Sequence, residues 1–458
     1  MPVILWTDAL VWLLVAAGAG YAVYCRRRAH LEAPWVRVFR SRPAMVAVTM
    51  LACYVGVGLL DSLHFRPALE QRGAGAQANY SVEVLSMLDL ALSHLRARNE
   101  KTYSAPFATR AYAKELVEQP GGKQLREFPR LRFGGAHLAD EAQRGADIAW
   151  RGGAGLAGAA ALLGLVGLAF RRAQRRSPDV PWGAAFATLA GLLAIAVPAA
   201  ALSADYHIFG TDKVGQDVLY LALKSIRTSL IIGTLTTMVT LPIGIVLGIM
   251  AGYFKGWIDD LIQYLYTTLN SIPGVLLIAA AVLMMQVYID TRPELFPTAA
   301  QRADLRLLFL CIILGLTTWT GLARLLRGEA LKLSELEYIQ AAHAFGVADS
   351  RILARHILPN VMHIVIIALV MDFSGLVLAE AVLSYVGVGV DPSTISFGTM
   401  INAARLEMSR EPIVWWALAA AFVFMFALVL AANLFADAVR DGFDPRVRVR
   451  RASAPAAA

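Results

Sequence analysis

The sequence from Tyr338 to Asn360 reads YIQAAHAFGVADSRILARHILPN, and it lies between two long apolar segments. Before Gly346, apolar residues recur at helical spacing, at Leu336, Ile339, Ala342 and Phe345. Gly346 interrupts this pattern, as expected of a residue that can adopt a positive φ where a helix ends. The spacing therefore predicts a short helix that ends at a glycine.

A second short helix is predicted after the glycine, with Asp349 as its N-cap. Residues four positions apart would share its faces, pairing Ile352 with His356 and Arg351 with Arg355. Pro359 limits how far this helix can continue. We interpret residues 338–360, the elbow segment, as two helices joined at a glycine outside the bilayer. Such a bend is typical of a docking surface rather than a site of chemistry.

The composition indicates a polytopic membrane protein. Of the 458 residues, 57% are hydrophobic and 17% are charged, whereas soluble domains are about 45–50% apolar. The net charge of +8 is typical of arginine-rich cytoplasmic loops and does not by itself indicate a nucleic-acid partner. The three cysteines lie in or beside apolar segments without metal-binding or redox spacing, so packing is their expected role.

Nine apolar segments are predicted to span the membrane, at about 3–25, 43–62, 152–170, 183–204, 219–252, 261–288, 306–326, 361–388 and 413–436. If the sides alternate, the N-terminus lies outside and the C-terminus lies in the cytoplasm. The three arginine clusters, within 26–42, 171–176 and 440–451, then all lie on the cytoplasmic side. The elbow segment lies on that side as well.

The predicted fold is all-α, and its divisions follow these spans. They are an N-terminal transmembrane pair (1–62), an extracytoplasmic or periplasmic insert (63–150), an additional transmembrane pair (151–204), a core (205–448) with a cytoplasmic loop (327–360), and a cytoplasmic tail (449–458). Within the insert, helical spacing predicts helices over 81–97 and 108–118, the second ended by Pro120-Gly121-Gly122. The insert is either a small helical domain packed on the membrane or a partner, or a solvated loop without its own ligand.

The elbow segment resembles the cytoplasmic loop of ABC-importer permeases. That family's pattern is Glu-Ala-Ala, three residues, Gly, nine residues, and Ile-x-Leu-Pro. Here Gln340-Ala341-Ala342 precedes Gly346 by three residues, and His356-Ile357-Leu358-Pro359 follows it after nine. Gln340 stands in place of the glutamate and His356 in place of the isoleucine. Gln340 can therefore offer only a neutral hydrogen bond to a partner.

Further matches resemble the dipeptide/oligopeptide-type permeases and cover about 205–448. They are Gly210-Thr211-Asp212 with Gly215 and Asp217, Ala251-Gly252-Tyr253-Phe254, Ile272-Pro273, Ala323-Arg324 with Arg327-Gly328-Glu329, Leu383-Ser384, and Asn433-Leu434 with Asp444-Pro445-Arg446. Their order and spacing carry the resemblance more than any single match.

The resemblance implies a permease subunit with an ABC-importer type I permease core in a bacterial inner membrane. It implies alternating access for peptides or similar solutes, a second related permease, two ATPase subunits that hold the ATP and magnesium, and an extracytoplasmic solute-binding protein. No cofactor is expected on this chain. The residues implied to couple it to the ATPases are Gln340, Ala341, Ala342, Gly346, Asp349, Arg351, Ile352, Arg355, His356 and Pro359.

Two other sets of residues stand out within the predicted spans. Gly244, Gly248 and Gly252 recur every four residues and permit close helix packing, either within the chain or with a partner permease. Asp372 and Glu380 are ionisable residues within or near a span, where such groups are costly. They are candidates for lining the translocation pathway, and a water-facing position at the periplasmic end is the alternative for them.

Catalysis by this chain is not expected. Gly121-Gly122-Lys123 is followed by glutamine, so no phosphate-binding loop is present, and no His/Cys set has metal-ligand spacing. Two other functions remain open. One is a channel or secondary transporter without ATPases, which needs an intramembrane charge relay. The other is a membrane scaffold that acts through the 63–150 insert.

Overall fold

The protein is predominantly helical in a computed structural model that describes residues 1–68, 80–118, 124–296 and 298–443. The C-terminal Asp444-Pro445-Arg446 motif, the 449–458 tail and Pro120-Gly121-Gly122 lie outside these residues. The elements in chain order are β1 (Pro2–Val3), α1 (Trp6–Arg26), α2 (Ala29–Arg40), α3 (Arg42–Asp61), β2 (His64–Phe65), β3 (Leu85–Ser86), α4 (Met87–Ala91), α5 (Ser93–Arg96), β4 (Glu115–Glu118), β5 (Gln124–Glu127), α6 (Arg144–Arg176), α7 (Trp182–Leu202), α8 (Val218–Phe254), α9 (Gly256–Ser271), α10 (Gly274–Asp290), α11 (Ala299–Thr318), α12 (Thr320–Ser334), α13 (Glu337–Ala344), α14 (Asp349–Ile352), α15 (Leu358–Val386), α16 (Phe397–Arg405) and α17 (Trp416–Phe443).

Among the described residues, eight helices are long and apolar enough to cross a membrane. Helices α9 and α10 meet at a bend of 87° and make a ninth span if they are counted as one. Pro273 is the N-cap of α10, and Ile272 before it has extended backbone angles. A proline disfavours helical geometry in the preceding residue, which accounts for the break. The all-α, polytopic prediction is confirmed, and the count of nine depends on this broken pair.

The chain forms two compact units. One consists of Met1–Ile4, Phe39–Ser229 and Pro392–Ala431, and the other of Leu5–Val38, Leu230–Asp391 and the described residues from Ala432. In the second unit, Leu307, Leu310 and Leu314 of α11 pack in one apolar cluster with the α8 residues Ile231 and Leu235. A separate apolar cluster of that unit surrounds the elbow segment.

In the first unit, α6 and α7 form a close helical hairpin. The position that a Cβ would occupy on Gly155 lies 2.5 Å from the Cα of Pro198, so only glycine permits this approach. Helix α6 has 33 residues and extends well beyond the predicted 152–170 span.

A hydrogen bond also joins α3 to a distant part of the same unit. The Tyr54 hydroxyl of α3 donates to the Phe424 carbonyl at 2.9 Å, which satisfies a polar group among apolar side chains.

The insert differs from its predicted helical structure. A single helix over 81–97 was expected, but the structure has strand β3 followed by the short helices α4 and α5. Ser86 begins α4 with a reciprocal capping box to Asp89. The predicted 108–118 helix is wrong, because Glu115–Glu118 pairs antiparallel with Gln124–Glu127. Cross-strand pairing there overrides the local helical spacing.

Strand pairing also joins the start of the chain to the insert. In an antiparallel sheet of order β1-β2-β3, Pro2 lies opposite Phe65, and His64 lies opposite Ser86. The first residues and the insert therefore lie at the same end of their unit, as the predicted alternation of spans requires.

Candidate functional site

The backbone of the elbow segment bends at the predicted glycine. Helix α13 ends at Ala344, and Gly346 follows with a φ of +76°. The Val347 amide donates to the Ala342 carbonyl at 3.1 Å, and the Gly346 amide donates to the His343 carbonyl at 2.9 Å. These bonds close the helix end around a left-handed residue, which favours glycine.

The second helix begins differently from the prediction. Its N-cap is Ala348, which has no capping side chain, and Asp349 is the first residue inside the helix. The Asp349 carboxylate accepts a hydrogen bond of 2.7 Å from the Tyr253 hydroxyl at the end of α8. The predicted N-cap role is therefore wrong, because a tertiary partner takes the carboxylate that local capping would have used.

Pro359 does not end the second helix, which also corrects the prediction. Residues Leu353–Ile357 form a π turn that passes directly into α15, where Pro359 is in the first turn. The π turn places apolar residues five apart on the inner face, so Ile352 and Ile357 are both fully buried. His356 is instead half-buried, with its ring 6.2 Å from that of Tyr338.

The outer face of the elbow segment presents an aromatic side chain among polar ones. Phe345 is 87% exposed, whereas its helical spacing placed it on the apolar face. The correction follows from its position at the helix C-cap, beside the left-handed glycine, where the chain turns away from that face. Other exposed residues of the segment include Gln340, Ala341, His343, Arg351 and Arg355.

The inner face of the elbow segment is held to three long helices. Ile339, Ile352 and Ile357 belong to one apolar cluster with Ile249 of α8 and Leu326 of α12, and Val361 of α15 completes it. Ala342 packs against the same cluster. The elbow is therefore packed against all three helices through buried side chains.

The three glycines of α8 line its contact with α12. A Cβ on Gly244 would lie 3.0 Å from the Leu322 side chain, and one on Gly248 would lie 2.7 Å from the Ala323 carbonyl oxygen. On Gly252 it would lie 2.5 Å from the Arg327 carbonyl oxygen. All three glycines therefore serve helix packing within this chain. Beside them, the Arg327 guanidinium binds Asp259 of α9 through two hydrogen bonds of 2.5 and 2.6 Å.

The two intramembrane carboxylates differ in exposure. Glu380 is 0% exposed and accepts a hydrogen bond of 2.7 Å from the Ser384 hydroxyl, one turn further along α15. A water-facing position for Glu380 is therefore wrong. Asp372 is half-buried on the same helix. Their assignment to a translocation pathway stays a prediction.

The insert is joined to the chain before α8 by a buried ionic cluster that sequence reasoning missed. The Nδ1 of His207 lies 2.7 Å from the Asp217 carboxylate, and its Nε2 lies 3.4 Å from that of Glu100. Burial opposes protonation of the ring, but the hydrogen bond to Asp217 and the charges of both carboxylates prevail and raise the pKa of His207 to about 9. Burial also opposes ionisation of Glu100, but the amides of residues 132–134 and the protonated His207 ring overcome it and lower the pKa of Glu100 to about 2. Lone acidic and basic residues carry no sequence signal for such a cluster.

A second buried ion cluster fixes the insert to α8 itself. The Lys224 ammonium lies 2.7 Å from the Asp61 carboxylate and 3.0 Å from that of Asp89. Elsewhere in this unit, the Trp416 indole donates to the Thr211 carbonyl at 2.9 Å. The insert is thus a packed part of its unit, which corrects the solvated-loop interpretation.

No group of three or more potential metal ligands occurs within the described ranges.

Comparisons with known proteins agree with this arrangement. The family described as "Binding-protein-dependent transport system inner membrane component" matches residues 244–449. The oligopeptide transport system permease protein of Mycobacterium bovis is 31% identical over 54% of this chain and 78% of its own length. The glutathione transport system permease protein of Pectobacterium atrosepticum is 32% identical over 53% of this chain and 73% of its own length.

The dipeptide transport system permease protein of Lactococcus lactis is 29% identical, and the matched region spans 64% of its length and 53% of this chain. Among solved structures, the inward-facing MetNI methionine ABC transporter matches 48% of this chain with 16% identity and a TM-score of 0.34. The sequence matches cover about half of this chain.

Proposed function

Because this chain belongs to the binding-protein-dependent transport system inner membrane components, we propose that it is a permease subunit of an ATP-driven importer. It pairs with a second, related permease and forms the translocation pathway by alternating access. Two separate ATPase subunits bind ATP and magnesium and carry out hydrolysis, and an extracytoplasmic solute-binding protein delivers the solute. This chain itself has no catalytic role.

The two-sided elbow segment is the observation that carries the proposal. Its inner face is apolar and buried, whereas Phe345, Arg351 and Arg355 are exposed. Exposed aromatic residues and arginines are typical of interface anchors. The ATPase surface is therefore expected to offer an apolar pocket for Phe345 and acidic groups for the arginines.

The connection of the elbow segment to α15 supports a lever mechanism. The helical path from Asp349 to Val386 is 38 residues long and passes through the π turn without a break. The hydrogen bond from Tyr253 to Asp349 and the cluster around Ile339 add further attachments. When ATP closes the ATPase pair, the elbow moves with it and carries the membrane helices toward the outward-open state.

The proposed orientation places the elbow and the arginine clusters in the cytoplasm and the insert outside. Arg40, a residue of the first cluster, forms an ion pair with Asp179, which follows the second cluster. An arginine of the first cluster thus lies beside the end of the second, which supports a cytoplasmic position for both. The insert contributes β2 and β3 to the sheet with the first residues of the chain. We expect the insert to contact the solute-binding protein.

The proposed substrates are short peptides or peptide-like solutes. The three relatives are named for dipeptide, oligopeptide and glutathione transport, and all of these solutes carry backbone amides and terminal charges. Asp372 is a candidate for contact with a cationic group because it is half-buried on α15.

Co-purification of ATPase subunits tests the proposal. The full chain, expressed with its natural membrane partners and extracted in mild detergent, is expected to retain ATPase subunits. Phe345→Ala and the Arg351→Glu/Arg355→Glu pair are expected to lose them, while the amount of folded permease stays the same because these side chains are exposed. Arg172→Glu serves as the matched control, since Arg172 is an exposed arginine of the α6 cluster. Loss of ATPase with the control as well would contradict a specific elbow contact.

Gly346→Asp tests the lever separately from docking. No atom lies within 4 Å of a Cβ at this position, so the fold tolerates a side chain, although the positive φ strains it. A left-handed conformation costs about 1–2 kcal/mol for a residue other than glycine. We expect the variant to reach the membrane and to lose ATP-driven uptake in proteoliposomes. Uptake at the wild-type rate would overturn the lever mechanism.

A further inference from the structure

The hairpin of α6 and α7 contains an open groove of about 610 Å³ close to the short turn that joins the two helices. Its walls are apolar and aromatic, with Leu163, Leu168 and Phe186 among them. A Cβ on Gly164 or Gly183 would meet no atom within 4 Å, so the glycines leave this space open. The groove thus has the lining that a hydrocarbon chain requires.

The rim of the groove is cationic and carries a hydrogen-bond donor. Arg171 and Gln174 lie on it, and Arg172, Arg175 and Arg176 lie within the same helix end. The acidic residue nearest in the chain, Asp179, is paired with Arg40. Trp182 also lines the groove, and its buried indole N–H has no acceptor among the residues that the structure describes. A buried donor without an acceptor is uncommon and indicates that an external acceptor belongs there.

We propose that this groove binds an anionic phospholipid, with an acyl chain between α6 and α7 and the phosphate at Arg171 and Trp182. Basic pockets between membrane helices are suited to anionic head groups. Arg171 supplies a charge-assisted hydrogen bond to a phosphate oxygen, and the indole N–H supplies a second. The aromatic contacts of Phe170 with Trp182 and Phe186, at centroid distances of 6.0 and 5.5 Å, hold the indole at the rim.

Native mass spectrometry of the full chain in detergent tests this proposal. Phosphatidylglycerol and phosphatidylcholine of the same acyl composition are the probes, and the bound fraction is measured for each. We expect roughly tenfold tighter binding of phosphatidylglycerol, because both lipids offer the phosphate but Arg171 and the neighbouring arginines repel the quaternary ammonium of phosphatidylcholine. Arg171→Gln is expected to remove this preference. Trp182→Phe, which keeps the ring and loses the donor to the phosphate, is expected to weaken the binding of both lipids about fivefold.

Matched variants separate the groove from general charge attraction. Arg172→Gln removes the same charge from a neighbouring position that does not line the groove, and it is expected to retain the preference. Gly164→Leu fills the groove and is expected to weaken the binding of both lipids at least tenfold. Gly153→Leu is its control, since a Cβ there also meets no atom within 4 Å and the position is outside the groove.

Several results would overturn the proposal. They are equal binding of the two lipids by the unchanged protein, the same loss with Arg172→Gln as with Arg171→Gln, and no effect of Gly164→Leu. Displacement of the lipid by excess glycerol phosphate would also refute it, because that result identifies a site for a soluble phosphate ester. If a variant aggregates, the comparison of the two lipids on the unchanged protein still tests the proposal.

Discussion

Replacement of His207 by glutamine is expected to destabilise the protein at neutral pH and to have little effect at alkaline pH. The protonated ring lies between the carboxylates of Glu100 and Asp217, and its side chain is only 4% exposed. Glutamine retains hydrogen-bonding capacity but carries no charge. The two carboxylates would then face each other without a cation, which disfavours their ionised forms.

The pKa of His207 gives the size of the effect. Folding raises it from 6.5 to about 9, which corresponds to roughly 3 kcal/mol in favour of the protonated ring. Because the folded pKa is the higher one, this stabilisation is fully present below pH 6.5 and is lost as the pH rises through about 9. The pKa of Glu100 is lowered from 4.5 to about 2, so its contribution is present above pH 4.5 and is lost as the pH falls toward 2.

Thermal unfolding in dodecyl maltoside, followed by tryptophan fluorescence, measures this effect. At pH 6.5 the His207→Gln variant is expected to melt several degrees below the wild type, and at pH 10 the two melting temperatures are expected to converge. Because the variant and the wild type are compared at the same pH, the titration of all other groups cancels in the difference between their melting temperatures. His343→Gln is the control, because His343 is an exposed histidine of the elbow segment. An equal deficit at both pH values would refute the charged bridge, and no deficit at pH 6.5 would refute the cluster altogether.

Three further changes test packing contacts within the separate units, all by melting temperature in detergent. Gly252→Val places a Cβ 2.5 Å from a carbonyl oxygen of α12 and is expected to lower the free energy of unfolding by about 2–3 kcal/mol. Gly321→Ala is the control, because no atom lies within 4 Å of a Cβ there. It is expected to change the free energy of unfolding by less than about 0.5 kcal/mol. Lys224→Met leaves two buried carboxylates without their cation and is expected to cost about 3–5 kcal/mol, so a stability like that of Lys224→Arg would contradict the ion cluster. Trp416→Phe removes the donor to the Thr211 carbonyl and is expected to cost about 1–3 kcal/mol, and an unchanged melting temperature would show that this bond is dispensable.

Local patterns were sufficient for the long apolar helices and for the bend of the elbow segment. Apolar runs long enough to cross a membrane are visible within single windows of sequence, and the structure forms helices there. The positive φ at Gly346 was predictable because the helical spacing stops at the one residue type that adopts it without strain. The glycine spacing of α8 likewise predicted close packing, but α12 as the neighbour was visible only in the structure.

Tertiary contacts decided the features on which the proposed function depends. The π turn brings Ile352 and Ile357 to one buried face, and the bend at Gly346 leaves Phe345 exposed; a regular helical spacing predicts neither. Asp349 bonds Tyr253 rather than its own backbone, and Glu100 meets His207 from a distant part of the chain. The sequence alone thus determined the spans, the bend and the family, because these follow from the periodicity and conformational limits of neighbouring residues. The exposed face of the elbow segment, the ion clusters and the groove between α6 and α7 depend on which distant residues meet, and only the folded chain settles that.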